Sequence, residues 1–294
     1  MPLLRYAAAL GAALLALISA DTATASPHAR PAEHYVALGD SYTSGTGILP
    51  HTDTTCTRSA RNYPTRVAEQ IGPASFVDVS CGGATTEHLW KPQNGVPPQL
   101  DALGADTTLV TLGMGGNDIG FGEILAQCVT RSASDPTGTP CRGYHTSDGE
   151  DELARRITVT APKIAAALDG IRDRAPHARV MVVGYPVIVP HEGTGCWPYV
   201  PIADGDVPYL RIVEQQANAM LSEQARSHGA EFVDTYKPTV GHDACQVPKR
   251  RYVEGLLPAR PAAPFHPNAE GAATIARAVI AAYYHQHAVV LAHE

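Results

Sequence analysis

Val36-Ala-Leu-Gly-Asp-Ser-Tyr-Thr-Ser-Gly45 is an apolar run that stops abruptly at Gly39-Asp40-Ser41. A hydrophobic strand ending in a small-residue turn puts one hydroxyl, that of Ser41, at the carboxyl edge of a sheet. In an open α/β sheet ligands bind at that edge, so Ser41 is a candidate nucleophile. The same tripeptide also reads as a plain helix N-cap, since Asp and Ser both cap well. Two distant segments tip the balance towards chemistry. Gly113-Met-Gly-Gly-Asn-Asp118 follows another apolar strand and offers polar donors, and Pro264-Phe-His-Pro-Asn268, near the C-terminus, offers a histidine that can act as base.

Outward from that run, strand character recurs at Phe76–Val79, Leu109–Leu112, Val180–Val183 and Phe232–Val233, with Tyr35–Leu38 as the first of five. The first, third and fourth are continuous Val/Leu/Met runs, as parallel strands buried on both faces require. Helical patterns fall between and after them at Tyr63–Ile71, Ile119–Cys128, Glu150–Arg174, Pro208–His228 and Pro267–His285. Alternation of this kind predicts an α/β fold with a central parallel sheet of about five strands and helices on both faces. Ser132–Asp148 and His191–Asp206, rich in Gly and Pro, are expected to be loops, either solvated insertions or covers over the sheet edge.

The first residues stand apart. Met1-Pro-Leu-Leu-Arg5 carries one positive charge, Ala7–Ala20 is almost wholly apolar, and Ala23-Thr24-Ala25 has the small-x-small pattern of a cleavage site. A signal peptide over residues 1–25 is expected, with a single domain over 26–294 and a secreted product. The apolar run is shorter than the roughly 18 residues of a spanning helix, and no later segment suits a bilayer, so stable membrane insertion is not expected. About 270 residues remain, enough for one large core. The formal net charge is -7 and no Lys/Arg block stands out, which disfavours nucleic acid as a partner. A monomer is expected.

Six cysteines, Cys56, Cys81, Cys128, Cys141, Cys196 and Cys245, occur in an even number without a C-x-x-C spacing. That disfavours zinc and thioredoxin-like chemistry and favours disulfides. Sequential pairing is expected, because each pair brackets a loop; such cross-links contribute roughly 2–4 kcal/mol each.

An ester hydrolase working by covalent catalysis needs a nucleophile, a base within reach and donors for the oxyanion. Beside Ser41, Gly82-Gly83 after the second strand offers an N–H that can approach a reacting atom closely, or simply a turn. Asn117 offers a side-chain amide, or a helix cap in competition with Asp118. His266 precedes Pro267, a residue favoured at the first position of a helix, and a helix N-terminus helps keep the ring neutral. His242 is the competing base. No G-x-S-x-G elbow and no H-E-x-x-H is present.

Gly39-Asp-Ser-Tyr42, Gly83, Gly115-Gly-Asn-Asp118 and His266-Pro-Asn268, in this order, resemble the blocks of the SGNH (GDSL) hydrolases. The six cysteines, with Cys81-Gly-Gly-Ala-Thr85 and Gly241-His-Asp-Ala-Cys245, are similar to the secreted three-disulfide lipase and esterase branch. The resemblance implies a flavodoxin-like three-layer α/β/α sandwich and a serine ester hydrolase with Ser41 as nucleophile and His266 as base. It implies Ser41 N–H, Gly83 N–H and Asn117 as oxyanion donors, with Gly82 the fallback for Gly83. It implies no metal and no cofactor, and a small-molecule or lipid ester as substrate. Phospholipid, an acetylated carbohydrate, or a binding role without chemistry are the alternatives.

The sequence departs from the family at one point: the Asp expected three residues before the histidine is Ala263, and no carboxylate lies between Leu256 and Phe265. Some members of this branch use a main-chain carbonyl, and here that of Ala263 or Pro264 is expected to orient the imidazole, giving a Ser–His dyad. Asp243 or Asp234 could instead complete a triad. Ile48-Leu49, Trp90 and Trp197-Pro-Tyr199 are the apolar loop residues expected to suit an acyl chain.

Overall fold

A computed structural model describes residues 32–291; the expected signal peptide lies outside the described residues. Five parallel strands form the central sheet: β1 (His34–Gly39), β4 (Ser75–Asp78), β5 (Leu109–Gly113), β6 (Arg179–Val183) and β7 (Glu231–Val233). Their spatial order is β4-β1-β5-β6-β7. Numbered within the sheet this is 2-1-3-4-5, the flavodoxin-like order, whose switch point falls between β1 and β5. A short antiparallel hairpin, β2 (His51–Asp53) with β3 (Arg58–Ser59), stands apart from it.

The pleat divides the core in two. Tyr35, Ala37, Leu109, Met181 and Val183 face α2 (Tyr63–Ile71) and α8 (Ala269–Leu291). Their neighbours Val36, Leu38, Val110, Leu112, Val180 and Val182 face α6 (Glu152–Arg174) and α7 (Val207–Ser227). Continuous apolar strands are needed because both faces are covered. Among the described residues no helix is long and apolar enough to cross a membrane.

Local signals set most helix ends. Asn62 Oδ1 accepts from Thr65 N–H (3.0 Å) at the start of α2, and Asp151 Oδ1 accepts from Leu153 and Ala154 N–H at the start of α6. The helix expected over Ile119–Cys128 is instead two: α3 (Gly116–Ile119) and α4 (Phe121–Ser132), broken at Gly120, whose φ of 93° is left-handed. The expected loop at Ser132–Asp148 contains α5 (Pro140–His145). Its N-terminal Cys141 and Arg142 N–H groups are capped by the Asp206 carboxylate at 2.9 and 2.8 Å. The last helix begins at Ala269 rather than Pro267, because Asn268 Oδ1 takes the N–H groups of Glu270 (3.0 Å) and Gly271 (3.1 Å) as a cap. Pro267 pairs instead with Val253 in an isolated bridge. The three disulfides join Cys56–Cys81, Cys128–Cys141 and Cys196–Cys245.

Candidate active site

Ser41 is the first residue of a one-turn helix, α1 (Ser41–Ser44), that starts where β1 ends. The strand end is held tightly. Gly39 N–H donates to Gln99 Oε1 (2.8 Å) and Gln99 Nε2 donates to Gly39 O (2.9 Å). A Cβ on Gly39 would sit 2.2 Å from Thr43 Oγ1 and 2.7 Å from Gly113 O, so only glycine lets the turn and β5 approach. Asp40 is the N-cap: its carboxylate accepts from Tyr42 N–H (2.9 Å) and from the Tyr185 hydroxyl (2.6 Å). Burial pushes the Asp40 carboxyl up to about 7 despite those two bonds. Ser41, at the first helical position, has no intrahelical acceptor for its own N–H.

Ser41 Oγ lies 2.7 Å from His266 Nε2, and His266 Nδ1 lies 2.8 Å from Pro264 O. A carbonyl oxygen only accepts, so Nδ1 carries the proton and Nε2 is left to accept from the Ser41 hydroxyl. Of the two expected carbonyls it is that of Pro264 that meets the ring; Ala263 O takes the His266 main-chain N–H (3.1 Å). Burial lowers the affinity of the imidazole for a second proton, and the Pro264 bond opposes that only in part.

Neither distant aspartate joins them. Asp243 accepts from Cys245 N–H and Gln246 Nε2, and Asp234 from Tyr236 and Lys237 N–H. His242 stacks on Tyr252 at 3.8 Å and bonds Arg250 O, away from the serine.

The histidine loop has its own supports. Phe265, between Pro264 and His266, has φ 59°, a conformation costing a non-glycine residue roughly 1–2 kcal/mol. It turns the chain so that Pro264 O points back at the ring. Two contacts hold it: the Tyr42 hydroxyl donates to Phe265 O (2.5 Å), and the Phe265 side chain is buried. The Tyr42 ring also lies against His266, centroids 4.7 Å apart, so the residue after Ser41 holds the histidine loop in place.

Below the loop, the buried carboxylate of Glu254 gathers Arg251 (3.0 Å), Arg260 (3.3 Å), Asn268 Nδ2 (2.7 Å) and Ala259 N–H (2.9 Å), while its N–H donates to His266 O (3.0 Å). Charge-assisted bonds are the stronger kind. Glu254→Gln is therefore expected to lower stability by about 2 kcal/mol and to reduce kcat through a looser His266. Urea unfolding and kinetics on the same preparation check both effects.

Three further groups converge on Ser41. Gly83 (φ 75°) and Gly82 line the same groove as Ser41, Asn117 and His266. Gly82 N–H is committed to Cys56 O (2.9 Å), whereas Gly83 N–H has no protein acceptor among the described residues. Gln93 Nε2 donates to Gly82 O (2.8 Å), and in a trans peptide this fixes the Gly83 N–H in the opposite direction. Asn117 Nδ2 donates one proton to Ala84 O (2.8 Å) and retains a second. Asp118 does not cap α3; its carboxylate accepts from Thr86 N–H (2.9 Å) and Thr86 Oγ1 (2.6 Å), tying the two blocks together.

Two linking residues have no motif of their own. Tyr185 OH accepts from Gly116 N–H (2.7 Å) while donating to Asp40, so one hydroxyl couples the serine turn to the asparagine turn. Asn218 on α7 brackets the Tyr185 backbone, accepting from its N–H (2.8 Å) and donating to its C=O (3.0 Å).

Two spaces meet at Ser41 and Asn117. One is a small, largely apolar cavity of about 90 Å³, walled by Phe121, Ile124 and Leu125 of α4, by Ile188 and Val189 after β6, and by Val213 of α7. The other is an open groove of about 710 Å³ that includes His266, Gly83, Thr57 and Leu256. Leu49, Trp197 and Tyr199, expected beside an acyl chain, line neither; Ile48 is buried, and Trp90 lines a separate groove next to Asn117. Among the described residues, Cys128, Cys141 and His145 form a close group of metal-ligating atom types. Both sulfurs are joined in a disulfide and cannot serve as thiolate ligands.

Residues 37–274 match the model of the GDSL-like lipase/acylhydrolase family. The chain belongs to that family. This GDSL hydrolase is 43% identical over 270 residues to Lipase 2 of Streptomyces coelicolor, covering 90% of each chain. It superposes on phospholipase A1 from Streptomyces albidoflavus with a TM-score of 0.70 and 28% identity, over 83% of this chain and 95% of that one. An extracellular lipase from Streptomyces rimosus gives a TM-score of 0.63 at 28% identity, over 83% and 96%. The hydrolase is thus a carboxylic ester hydrolase of the lipase/esterase kind.

Proposed function

We propose that the chain is an exported lipase or carboxylesterase that cleaves acyl esters through an acyl-enzyme on Ser41. His266 Nε2 takes the Ser41 proton as Oγ attacks the ester carbonyl, and the positive ring is supported by Pro264 O through Nδ1–H. The oxyanion develops against Ser41 N–H, Gly83 N–H and the free proton of Asn117 Nδ2. His266 then protonates the departing alcohol, and water repeats the sequence on the acyl-enzyme. The observation that carries this reading is the 2.7 Å approach of Ser41 Oγ to His266 Nε2, with Nδ1 committed to a carbonyl.

The substrate class follows from where the protons must go. His266 must reach the leaving oxygen, and it borders the larger groove; the alcohol therefore belongs there and the acyl chain in the small apolar cavity. An apolar acyl side and a roomy alcohol side suit a lipid ester better than an acetylated carbohydrate. Export is supported by the leader-like residues 1–25 and the three disulfides.

A fluorophosphonate probe tests the core of this proposal. One equivalent is expected to attach at Ser41 in the disulfide-intact protein and none in Ser41→Ala, located by peptide mass. A chain-length series of p-nitrophenyl esters then tests the substrate class, with turnover expected to extend well beyond acetate. Unlabelled Ser41 favours a binding module; a preference confined to acetate removes the lipase assignment.

A further inference from the structure

The apolar cavity carries one polar group for which the proposed reaction has no use. Glu214 on α7 lines it between Val213 and Ala217. Its Oε1 accepts from Ile188 N–H (2.9 Å), while Oε2 is buried without a hydrogen-bond partner. Of the other polar side chains around the cavity, Tyr42 OH is held by Phe265 O, Tyr185 OH by Asp40 and Gly116, and Ser41 by His266, while the second amide proton of Asn117 is the one the proposed reaction uses for the oxyanion. Burial raises the Glu214 carboxyl well above the usual carboxylate range, with Asp243 adding to the rise and Ile188 N–H, Val189 N–H and Arg211 opposing it. An unpaired charge in an apolar cavity costs far more than the protonated acid, and because Oε1 already accepts from Ile188 N–H while Oε2 has no partner, the proton belongs on Oε2. A donor is left unpaired on a side chain that lines a largely apolar cavity, and leaving such a group unpaired is costly.

We propose that Glu214 is a specificity-determining residue whose Oε2 hydroxyl donates to an oxygen carried on the substrate's acyl chain. The hydrolase would then select hydroxy-, oxo- or ether-substituted acyl groups over plain alkyl chains of equal length. A plain chain leaves the donor unpaired beside a methylene; an oxygen at the matching position satisfies it. Discrimination of this kind is strongest where a buried polar group would otherwise stay unpaired. The inference rests on the apolar cavity being the acyl side.

The test is an oxygen scan. Straight-chain p-nitrophenyl esters are compared with length-matched esters in which one methylene at a time is replaced by an ether oxygen. The readout is the ratio of kcat/KM for each oxygen-containing ester to that of its alkyl parent, taken within each variant so that a general loss of activity cancels. One position is expected to be preferred by about fivefold or more in the native enzyme. Glu214→Gln, whose amide supplies a donor in the same place, is expected to keep that preference, and Glu214→Leu to lose or invert it. A flat scan in the native enzyme overturns the inference, as does an unchanged ratio in Glu214→Leu. The native scan decides alone if the leucine variant does not fold. When Ser41 is labelled and plain esters turn over, a flat scan removes the role of Glu214 and leaves the esterase reading intact.

Discussion

His266→Ala is expected to lower kcat by about 10⁴- to 10⁶-fold, the loss seen when a serine enzyme loses a member of its catalytic unit, with KM changed far less. The reason is the single contact between Nε2 and Ser41 Oγ: in the proposed mechanism no other base stands within reach of that hydroxyl. The same geometry predicts what will not matter. Asp243→Asn and Asp234→Asn are expected to stay within about threefold of native kcat, because both carboxylates are spent on local backbone turns and neither bonds the imidazole. A large loss in either variant would replace the dyad with a triad formed only on binding.

The pH profile adds an independent check. The base must be neutral to accept a proton, so activity falls as pH drops through its pKa. Burial holds that pKa below the ordinary 6.5, so the acid limb of kcat/KM should have its midpoint below 6.5 in the free enzyme. A midpoint above that value would mean either that a carboxylate raises the imidazole pKa or that Asp40, pushed up to about 7 by burial, governs the limb, and the profile of Asp40→Asn separates the two.

Much of the architecture was readable because the strands are locally unambiguous. Runs such as Val180–Val183 are apolar at every position, as strands of a sheet covered on both faces are, and their alternation with longer helical patterns decides against short buried helices. The residues that meet at Ser41 were also legible, since each sits in a small-residue turn directly after a strand or before the last helix. What escaped was everything set by partners far away in sequence. Helix α5 is capped by Asp206, more than sixty residues downstream, so Ser132–Asp148 looks like a loop from within. Tyr185 and Asn218 carry no motif, yet together they join the serine and asparagine turns.

The apolar cavity beside Ser41 escaped for a different reason. Its walls are ordinary helix faces of α4 and α7, whose apolar spacing reads as core. Tyr199, expected beside an acyl chain, lines neither space at Ser41. The helix start at Ala269 rather than Pro267 shows a third limit: Pro at a first position and Asn at a cap compete over two residues, and Asn268 prevails through two N–H bonds.

Asn117→Ala is expected to lower kcat by about 10²- to 10³-fold, equivalent to about 2.7–4 kcal/mol of transition-state stabilisation, with little effect on KM. The side chain is held from behind: Ala84 O takes one amide proton, and the Asp118 carboxylate fixes the neighbouring Thr86 turn. The second amide proton can therefore meet a developing charge without reorganising, and that preorganisation is what makes such donors effective in a water-poor site. Ground-state ester oxygens carry little charge, so binding should barely change. Ser41 N–H and Gly83 N–H remain in the variant, so hydrolysis should persist well above the uncatalysed rate. Burst kinetics with a p-nitrophenyl ester separates the two halves of the reaction. Because acylation and deacylation both pass through an oxyanion in the proposed mechanism, both should slow. If kcat instead stays within about threefold, Asn117 is only a tether for the Ala84 turn, and the oxyanion is served by backbone N–H groups alone.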